Sequence, residues 1–353
     1  MRWIACELHT HTVHSDGSQT LRELASGAVK LGFEAIALTD HNTMSGLAGK
    51  EDVARDNGLW ILPGMEWTTF YGHMVTIGLE AYVDWREADL HRIDEGIAAV
   101  HRLGGLAGLA HPFRIGSPAC TGCYWEYEVG DWSAVDYIEV WSGTFPPIRT
   151  NNQRAFALWT DKLNEGYRIA ATSGRDWHTQ TENGEPVSVT YLGVAEDPYP
   201  RKDPVTEGIE RQTGPDEKLI EQRLIHSLRE GRASVTMGPL LLLILECGDE
   251  RFEIGRIFPK DAQSDKNIVA YVSLDMTVRA GLWSLPDQSL KLLLRSDRGI
   301  EHEAECPYPG DSGITRHRLS VSEDTRKWLR AELWGNVRGA HTLIAFTNAI
   351  YFA

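Results

Sequence analysis

His9 and His11 alternate on an apolar run that reads as a strand, so both imidazoles point to one face. Asp16 follows shortly after, and a second apolar run ends in Asp40 and His41. Glu66, His111, Asp176 and His178 close later runs of the same kind, and His73 opens the run that returns from Glu66. Imidazole and carboxylate groups converging from the ends of successive strands are how a protein holds a divalent transition metal. This donor set suits Zn, Mn or Fe, whereas a thiolate-rich set would favour tetrahedral zinc. Brought together without cations, Asp16, Glu66 and Asp176 would form a costly cluster of like charge, which bound metal relieves.

The elements that must position these groups alternate strand and helix from Trp3 to about residue 236. Ile4–Leu8 precedes a helix over Leu21–Leu31, at whose start Thr20 and Glu23 have the spacing of a capping box. Phe33–Leu38 reads as a strand and Ser45–Asn57 as a helix closed by Gly58. Trp60–Glu66 and His73–Leu79 are strands joined by a link short enough for a hairpin. A helix over Glu87–Leu103 follows, then strands over Gly105–Ala110, Val135–Trp141 and Arg168–Thr172, with helices over Asn152–Glu165 and Leu219–Arg229. Repeated βα units of this length close into a barrel of the TIM type, irregular in strand number, whose active site gathers at the C-terminal strand ends. All nine candidate ligands fall on that rim.

Beyond Gly231 the pattern changes to short alternating runs, Leu240–Glu246, Asn267–Asp275, Ser289–Arg295, Arg316–Val321, Trp328–Leu333 and His341–Thr347. Turn signals such as Gly248-Asp249, Pro286-Asp287 and Pro309-Gly310 separate them, which predicts a β-sandwich. The boundary falls near Pro239, giving units 1–236 and 240–353. Glu196–Glu217 is a polar, proline-rich excursion in the first unit, expected as a surface loop or lid.

His9-Thr10-His11, Ser15-Asp16-Gly17, Leu38-Thr39-Asp40-His41, Gly64-Met65-Glu66, Ala110-His111-Pro112 and Ser173-Gly174-Arg175-Asp176-Trp177-His178 resemble, in order, the motifs of the PHP (polymerase and histidinol phosphatase) superfamily. The resemblance covers about residues 1–236 and implies an α/β fold, a distorted (β/α)7 TIM-like barrel with a trinuclear metal centre. By motif it gives one metal His9, His11, Glu66 and Asp176. A second shares Glu66 as a bridge and adds His73 and His111, and a third takes Asp16, His41 and His178. Glu66 suits bridging because a carboxylate can give one oxygen to each of two ions. The C-terminal part, with Gly238-Pro239 and Thr347-Asn348-Ala349-Ile350-Tyr351, is similar to a subgroup that includes carbaryl hydrolases and carries an appended β domain.

These readings imply a metal-dependent hydrolase in which a metal-bridging hydroxide attacks an ester centre, with Glu66 and Asp176 among the catalytic groups. A small phosphoester leads as substrate. A carbamate or carboxyl aryl ester on the same site, and a non-catalytic metal-binding module, are the alternatives. Against the module, all nine positions hold liganding residues. No separate general acid is evident. Arg114 and Arg175 are placed to fork onto a phosphate or carboxylate, or to pair with a ligand carboxylate. Asp40 either orients an imidazole or caps a helix. Trp67 and Trp177 flank ligands on strands and so point into core, and Trp125, Trp132 and Trp141 read as core rather than as a pocket floor. Cys120 and Cys123 have zinc-knuckle spacing without a second pair. His14, His91, His101, His226, His302, His317 and His341 match no motif.

Over 353 residues the formal net charge is −15, which repels polyanions and disfavours long nucleic acids as partners. The start of the chain lacks the apolar core of a signal peptide, and no apolar run is long enough to span a bilayer. Five cysteines, an odd number, make no disulfide framework, so the cytoplasm is the expected compartment. Oligomeric state is left open.

Overall fold

The computed structural model describes residues 1–115, 124–180, 184–195, 215–259, 268–308, 310, 313–321 and 325–353. Cys120, Cys123, Pro309 and residues 196–214 of the polar excursion lie outside them. The chain opens with β1 (Arg2–Thr10) and α1 (Leu21–Lys30). At the start of α1 the Thr20 hydroxyl accepts from the Glu23 backbone N–H while the Glu23 carboxylate takes the Thr20 N–H, so the capping box forms. β2 (Ala35–Leu38) leads to α2 (Lys50–Asn57), which ends on Gly58 at φ 65°. The sequence placed this helix from Ser45. Instead a 3-10 turn covers Ser45–Leu47, and Gly49 at φ 74° interrupts the backbone before α2 can begin.

β3 (Trp60–Thr69) and β4 (Gly72–Ile77) form the expected hairpin, with Thr69 opposite Gly72. α3 (Ile93–Arg102) starts later than Glu87 because Asp84 and Asp89 each accept a backbone N–H two residues on, from Arg86 and His91, and so hold turns. β5 (Leu106–Leu109), β6 (Tyr137–Ser142), α4 (Thr150–Glu165) and β7 (Ala170–Gly174) follow as read. β8 (Val189–Val194), α5 (Pro215–Arg229) and β9 (Ala233–Thr236) complete this part. The two strands β8 and β9 escaped the sequence reading because every residue in them is buried, so neither shows alternation.

β1, β2 and β3 pair in parallel, and so do β5, β6 and β7; β4 joins the two sets antiparallel to both its neighbours. On the other side of β1, β8 and then β9 add antiparallel. The sheet curls back on itself. The Trp177 N–H just past β7 donates to His9 O and the His11 N–H to Trp177 O, both at 3.0 Å, and Ser173 N–H on β7 donates to Thr190 Oγ1 on β8 at 2.8 Å.

The remainder of the described chain is β-rich: β10 (Leu240–Cys247), β11 (Glu250–Glu253), β12 (Ile257–Phe258), β13 (Ile268–Asp275), β14 (Ser289–Ser296), β15 (Gly299–Pro307), β16 (Ile314–Ser320), β17 (Trp328–Val337), β18 (Ala340–Thr347) and β19 (Ile350–Phe352). One sheet has the order β11-β10-β13-β16. In the other, β15, β14, β17 and β18 are successive antiparallel neighbours, and β18 pairs with β9, so hydrogen bonding is continuous with the first part. Leu241, Leu243 and Val272 of the first sheet share one buried cluster with Leu292, Leu333 and Ala345 of the second. Asn348 ties the two parts together: its amide accepts from Ala171 N at 2.6 Å and donates to Ala171 O and Ala233 O at 2.9 and 3.2 Å. Among the described residues, no helix is long and apolar enough to cross a membrane.

Candidate metal centre

Strand ends and the loops that follow them deliver the nine groups. His9 lies near the end of β1 with His11 just beyond it and Asp16 in the loop before α1, His41 and His111 follow β2 and β5, Glu66 and His73 meet diagonally across the hairpin, where Val75 and Thr68 are their register partners, and Asp176 and His178 follow β7. Their donor atoms form three overlapping groups, each within 4.8 Å: His9, His11, Glu66 and Asp176; Glu66, His73 and His111; and His11, Asp16, His41 and His178. Glu66 Oε2 is 3.2 Å from His9 Nε2 and 3.4 Å from His11 Nε2, whereas Oε1 is 2.8 Å from His73 Nδ1 and 3.2 Å from His111 Nε2. Oε2 also lies 2.9 Å from His41 Nδ1, so it faces the first group and one member of the third, while Oε1 faces the second. Asp16 Oδ1 lies 3.3 Å from His41 Nε2 and 3.0 Å from His178 Nε2.

The chemistry of these donors fits metal ions. His9 Nε2, both His11 ring nitrogens, Glu66 Oε2 and Asp176 Oδ1 are buried and make no hydrogen bond among the described residues. Buried polar atoms are normally paired, and one unpaired atom from each of these four residues, all within 4.8 Å of one another, marks the place of a guest. Burial alone would raise the Glu66 and Asp176 carboxyls, yet the surrounding imidazoles, His9 foremost, hold both well below the usual carboxylate range. Burial depresses His11, while at His9 burial is outweighed by the Glu66, Glu139 and Asp176 carboxylates, which push it well up. Two of the nine residues have left-handed backbones: His111 at φ 28° and Asp176 at φ 53°. Such conformations are costly for a side chain with a Cβ and cluster at functional sites.

An outer ring fixes the imidazoles. His9 Nδ1 lies 2.6 Å from Glu139 Oε2, which turns Nε2 towards the cluster, and the Thr68 hydroxyl bonds His41 Nδ1. Glu7 accepts the backbone N–H groups of His9 and Arg175 at 3.1 and 2.8 Å. Gly174 must lack a Cβ, because one would stand 2.5 Å from His9 Cβ and 2.8 Å from Glu139 Oε2. The sequence reading missed Glu7, Thr68 and Glu139. The available signal was a lone carboxylate inside each of two wholly apolar runs, Ile4–Leu8 and Tyr137–Trp141.

Asp40 does neither of the two things expected of it. It accepts from Thr12 N, Thr12 Oγ1 and Ser15 Oγ, all at 2.7 Å, and so fixes the loop that carries Asp16. Arg114 pairs with Asp176 Oδ2, and the Arg175 guanidinium lies 4.5 Å from the Trp177 ring centroid. Trp67, Trp141 and Trp177 are in the core, Trp125 packs on Tyr127, and Trp132 lies under Lys162. His14 meets Ser45, His91 meets Glu128, His101 meets Asp136 and His226 meets Glu230. Among the described residues, no donor from 240–353, including His302, His317 and His341, joins the three groups.

A 60-residue stretch is 33% identical to a phosphoribosyl 1,2-cyclic phosphate 1,2-diphosphodiesterase of Eggerthella lenta, covering 17% of this chain and 23% of that one. An 80-residue stretch is 32% identical to the 5′-3′ exoribonuclease Rnm of Escherichia coli, covering 21% of this chain and 27% of the relative. The chain thus matches about a quarter of the length of these curated relatives. A solved two-domain protein of Bacteroides vulgatus, containing a predicted PHP-like metal-dependent phosphoesterase, superposes with a TM-score of 0.49 at 15% identity, covering 99% of this chain and 95% of that one. Residues 7–134, which hold seven of the nine candidate ligands, match the profile of the PHP domain, and this supports the PHP superfamily for that part of the chain.

Proposed function

We propose that the protein is a metal-dependent hydrolase of phosphoester bonds. The observation that carries the reading is the position of Glu66, each of whose oxygens faces a separate group of histidines. In this reading His9, His11, Glu66 and Asp176 hold one divalent cation, Glu66, His73 and His111 a second, and Asp16, His41 and His178 a third. Zinc, manganese and iron suit these donors. Such cations supply Lewis-acid polarisation of a phosphoryl group and acidify a water. The chain's own residues do the rest. Glu139 holds His9 with Nε2 turned inward, Asp40 ties down the loop of Asp16, and Arg114 neutralises the outward oxygen of Asp176.

The names of the two relatives, a diphosphodiesterase and an exoribonuclease, support phosphoester chemistry. The same reading takes residues 1–236 as a distorted (β/α)7 barrel and 240–353 as an appended β-sandwich-like unit. The test is a hydrolysis panel on protein stripped with chelator and reloaded with Mn or Zn, with elemental analysis alongside. It sets p-nitrophenyl phosphate and its bis-ester against 1-naphthyl acetate and a naphthyl carbamate. Metal-dependent turnover of the phosphoesters is expected. A kcat/KM about a hundredfold higher for the naphthyl esters would instead select the carboxyl or carbamate ester reading.

A further inference from the structure

We infer that the substrate carries a second anionic group, seated in a cleft beside the metal centre; this rests on the phosphoesterase reading of that centre. The cleft has a volume of about 370 Å³ and shares Asp176 and His178 with the candidate ligands, so its occupant lies against the reacting group. Three arginines, Arg114, Arg149 and Arg175, line it in a chain whose net charge is −15. Arg114 is engaged by Asp176 and Arg175 lies over Trp177. Arg149 differs. Its side-chain hydrogen bonds among the described residues go to Thr144 alone, from Nε to the carbonyl at 2.8 Å and from Nη2 to Oγ1 at 3.4 Å. Its guanidinium also packs over Gly143, where an added Cβ would be 3.6 Å from Cζ. Held in this way by neutral groups, the guanidinium presents Nη1 and its charge with little entropy left to lose.

A second observation points to a ligand independently. Ser142, 2% exposed, lines the same cleft, and its Oγ has no hydrogen-bond partner among the described residues. A buried hydroxyl without a partner is costly, and an anion in the cleft would supply the missing acceptor. The start of α4 adds to this. Arg149 is its N-cap and makes no side-chain cap, the first turn holds no acidic residue, and Asn151 of that turn lines the cleft. Open N–H groups at the start of a sixteen-residue helix favour negative charge. A phosphate or carboxylate satisfies Arg149, Ser142 and the helix start together, whereas a neutral alkyl or aryl group satisfies none of them. The substrate class is thus a small phosphoester bearing a second phosphate or a carboxylate.

Calorimetry on Mn-loaded protein tests this with ligands that resist hydrolysis: methylphosphonate, 3-phosphonopropionate and propane-1,3-bisphosphonate. At least one two-anion ligand is expected to bind about ten- to a hundredfold more tightly than methylphosphonate, the usual scale for a charge-assisted contact. The carboxylate and bisphosphonate arms tell which anion the cleft takes. Arg149→Met should shrink the advantage to below about threefold, and Ser142→Ala should shrink it by a smaller factor. Ser142→Ala alone decides the matter should Arg149→Met fail to fold. No advantage in the wild type, or an advantage untouched by either substitution, overturns the inference. If the two-anion advantage depends on Arg149 while the panel above shows no phosphoester turnover, the cleft keeps its anion and only the phosphoesterase reading falls.

Discussion

Two of the buried charged clusters among the described residues are satisfied in opposite ways. On β17, Glu332 accepts from Arg330 Nε at 2.9 Å with one oxygen and from Trp334 Nε1 at 3.0 Å with the other. Arg330 also donates to Thr160 Oγ1 at 3.0 Å, and its guanidinium lies 4.6 to 4.9 Å from the ring centroids of Phe156, Trp159 and Trp328. This cluster is closed, since each oxygen of Glu332 has its donor from within the chain. At the rim of the first part, by contrast, His9 Nε2, Glu66 Oε2 and Asp176 Oδ1 meet without hydrogen bonds, although rings of partners hold the same side chains from behind. A closed cluster holds β17 against α4, and an open one is built around something the chain does not supply.

The largest effect that can break this contrast lies at Glu66. In the proposed reading Glu66→Ala should lower kcat on the order of 10⁴-fold, because two cation sites would lose a shared ligand, against about 10–100-fold for Asp16→Ala, which would touch one. Steady-state kinetics on metal-replete variants, with metal content measured in parallel, checks it. Equal losses would mean that Glu66 is not a bridge. In the closed cluster, Glu332→Leu should cost about 3–5 kcal/mol in urea denaturation, since it strands a buried guanidinium, and should leave the metal content alone. The double change Arg330→Met with Glu332→Leu should recover most of that loss. A double variant as unstable as the single one would show that the pair contributes more than its own mutual satisfaction.

Much of the open cluster was legible in the sequence, because metal chemistry restricts residue types and strand ends restrict where they fall. His9, His11 and Asp16 could be placed from thirteen residues of chain. The ring behind them could not. Glu139 acts on His9 across 130 positions, and only the closure that brings β6 and β7 back to β1 makes them neighbours. Arg149 was invisible for a similar reason, since its importance depends on the cleft between the ends of β6 and β7. Helix existence was readable throughout, but three starts were not: Gly49 and the turns at Asp84 and Asp89 override propensity by local backbone conformation, and α5 begins at Pro215, inside the stretch read as a loop as far as Glu217. Continuity of the sheet through β9 and β18 was also hidden, because strand partners are set by the whole topology and not by either run alone.

Glu7 sharpens the comparison through pH. Burial lifts its carboxyl from an ordinary value near 4.5 to about 7, although the N–H groups of Arg175 and His9 pull it partly back. In metal-free protein the folded state therefore keeps a proton between those values that the unfolded chain has lost. The resulting stabilisation is complete below pH 4.5 and disappears as pH rises through 7. Between pH 5 and pH 8 the wild type should lose about 2.5 kcal/mol more than Glu7→Gln, which cannot ionise. The difference between two urea titrations isolates this group from the histidines around it. A difference that does not change with pH would place Glu7 in a better solvated site than its burial indicates.

The smallest effect asks whether the ring behind the open cluster matters for metal or only for packing. Glu139 is 3% exposed, and its Oε2 faces His9 Nδ1 at 2.6 Å while His9 Nε2 faces the other donors. A carboxylate there fixes the tautomer that leaves Nε2 unprotonated and makes the ring a stronger donor. Glutamine at 139 keeps the volume and an acceptor but removes the charge. Glu139→Gln should thus weaken metal binding at His9 by about 10–100-fold, and it should leave the unfolding free energy of metal-free protein, from urea denaturation, within about 1 kcal/mol of wild type. Competition with a chromophoric chelator reads the first quantity and denaturation the second. If stability falls while metal affinity holds, Glu139 belongs with Arg330 and Glu332 as a group satisfied for the sake of the core. If affinity falls alone, the two buried clusters differ in function as well as in geometry, because the carboxylate behind His9 then serves the guest and not the fold.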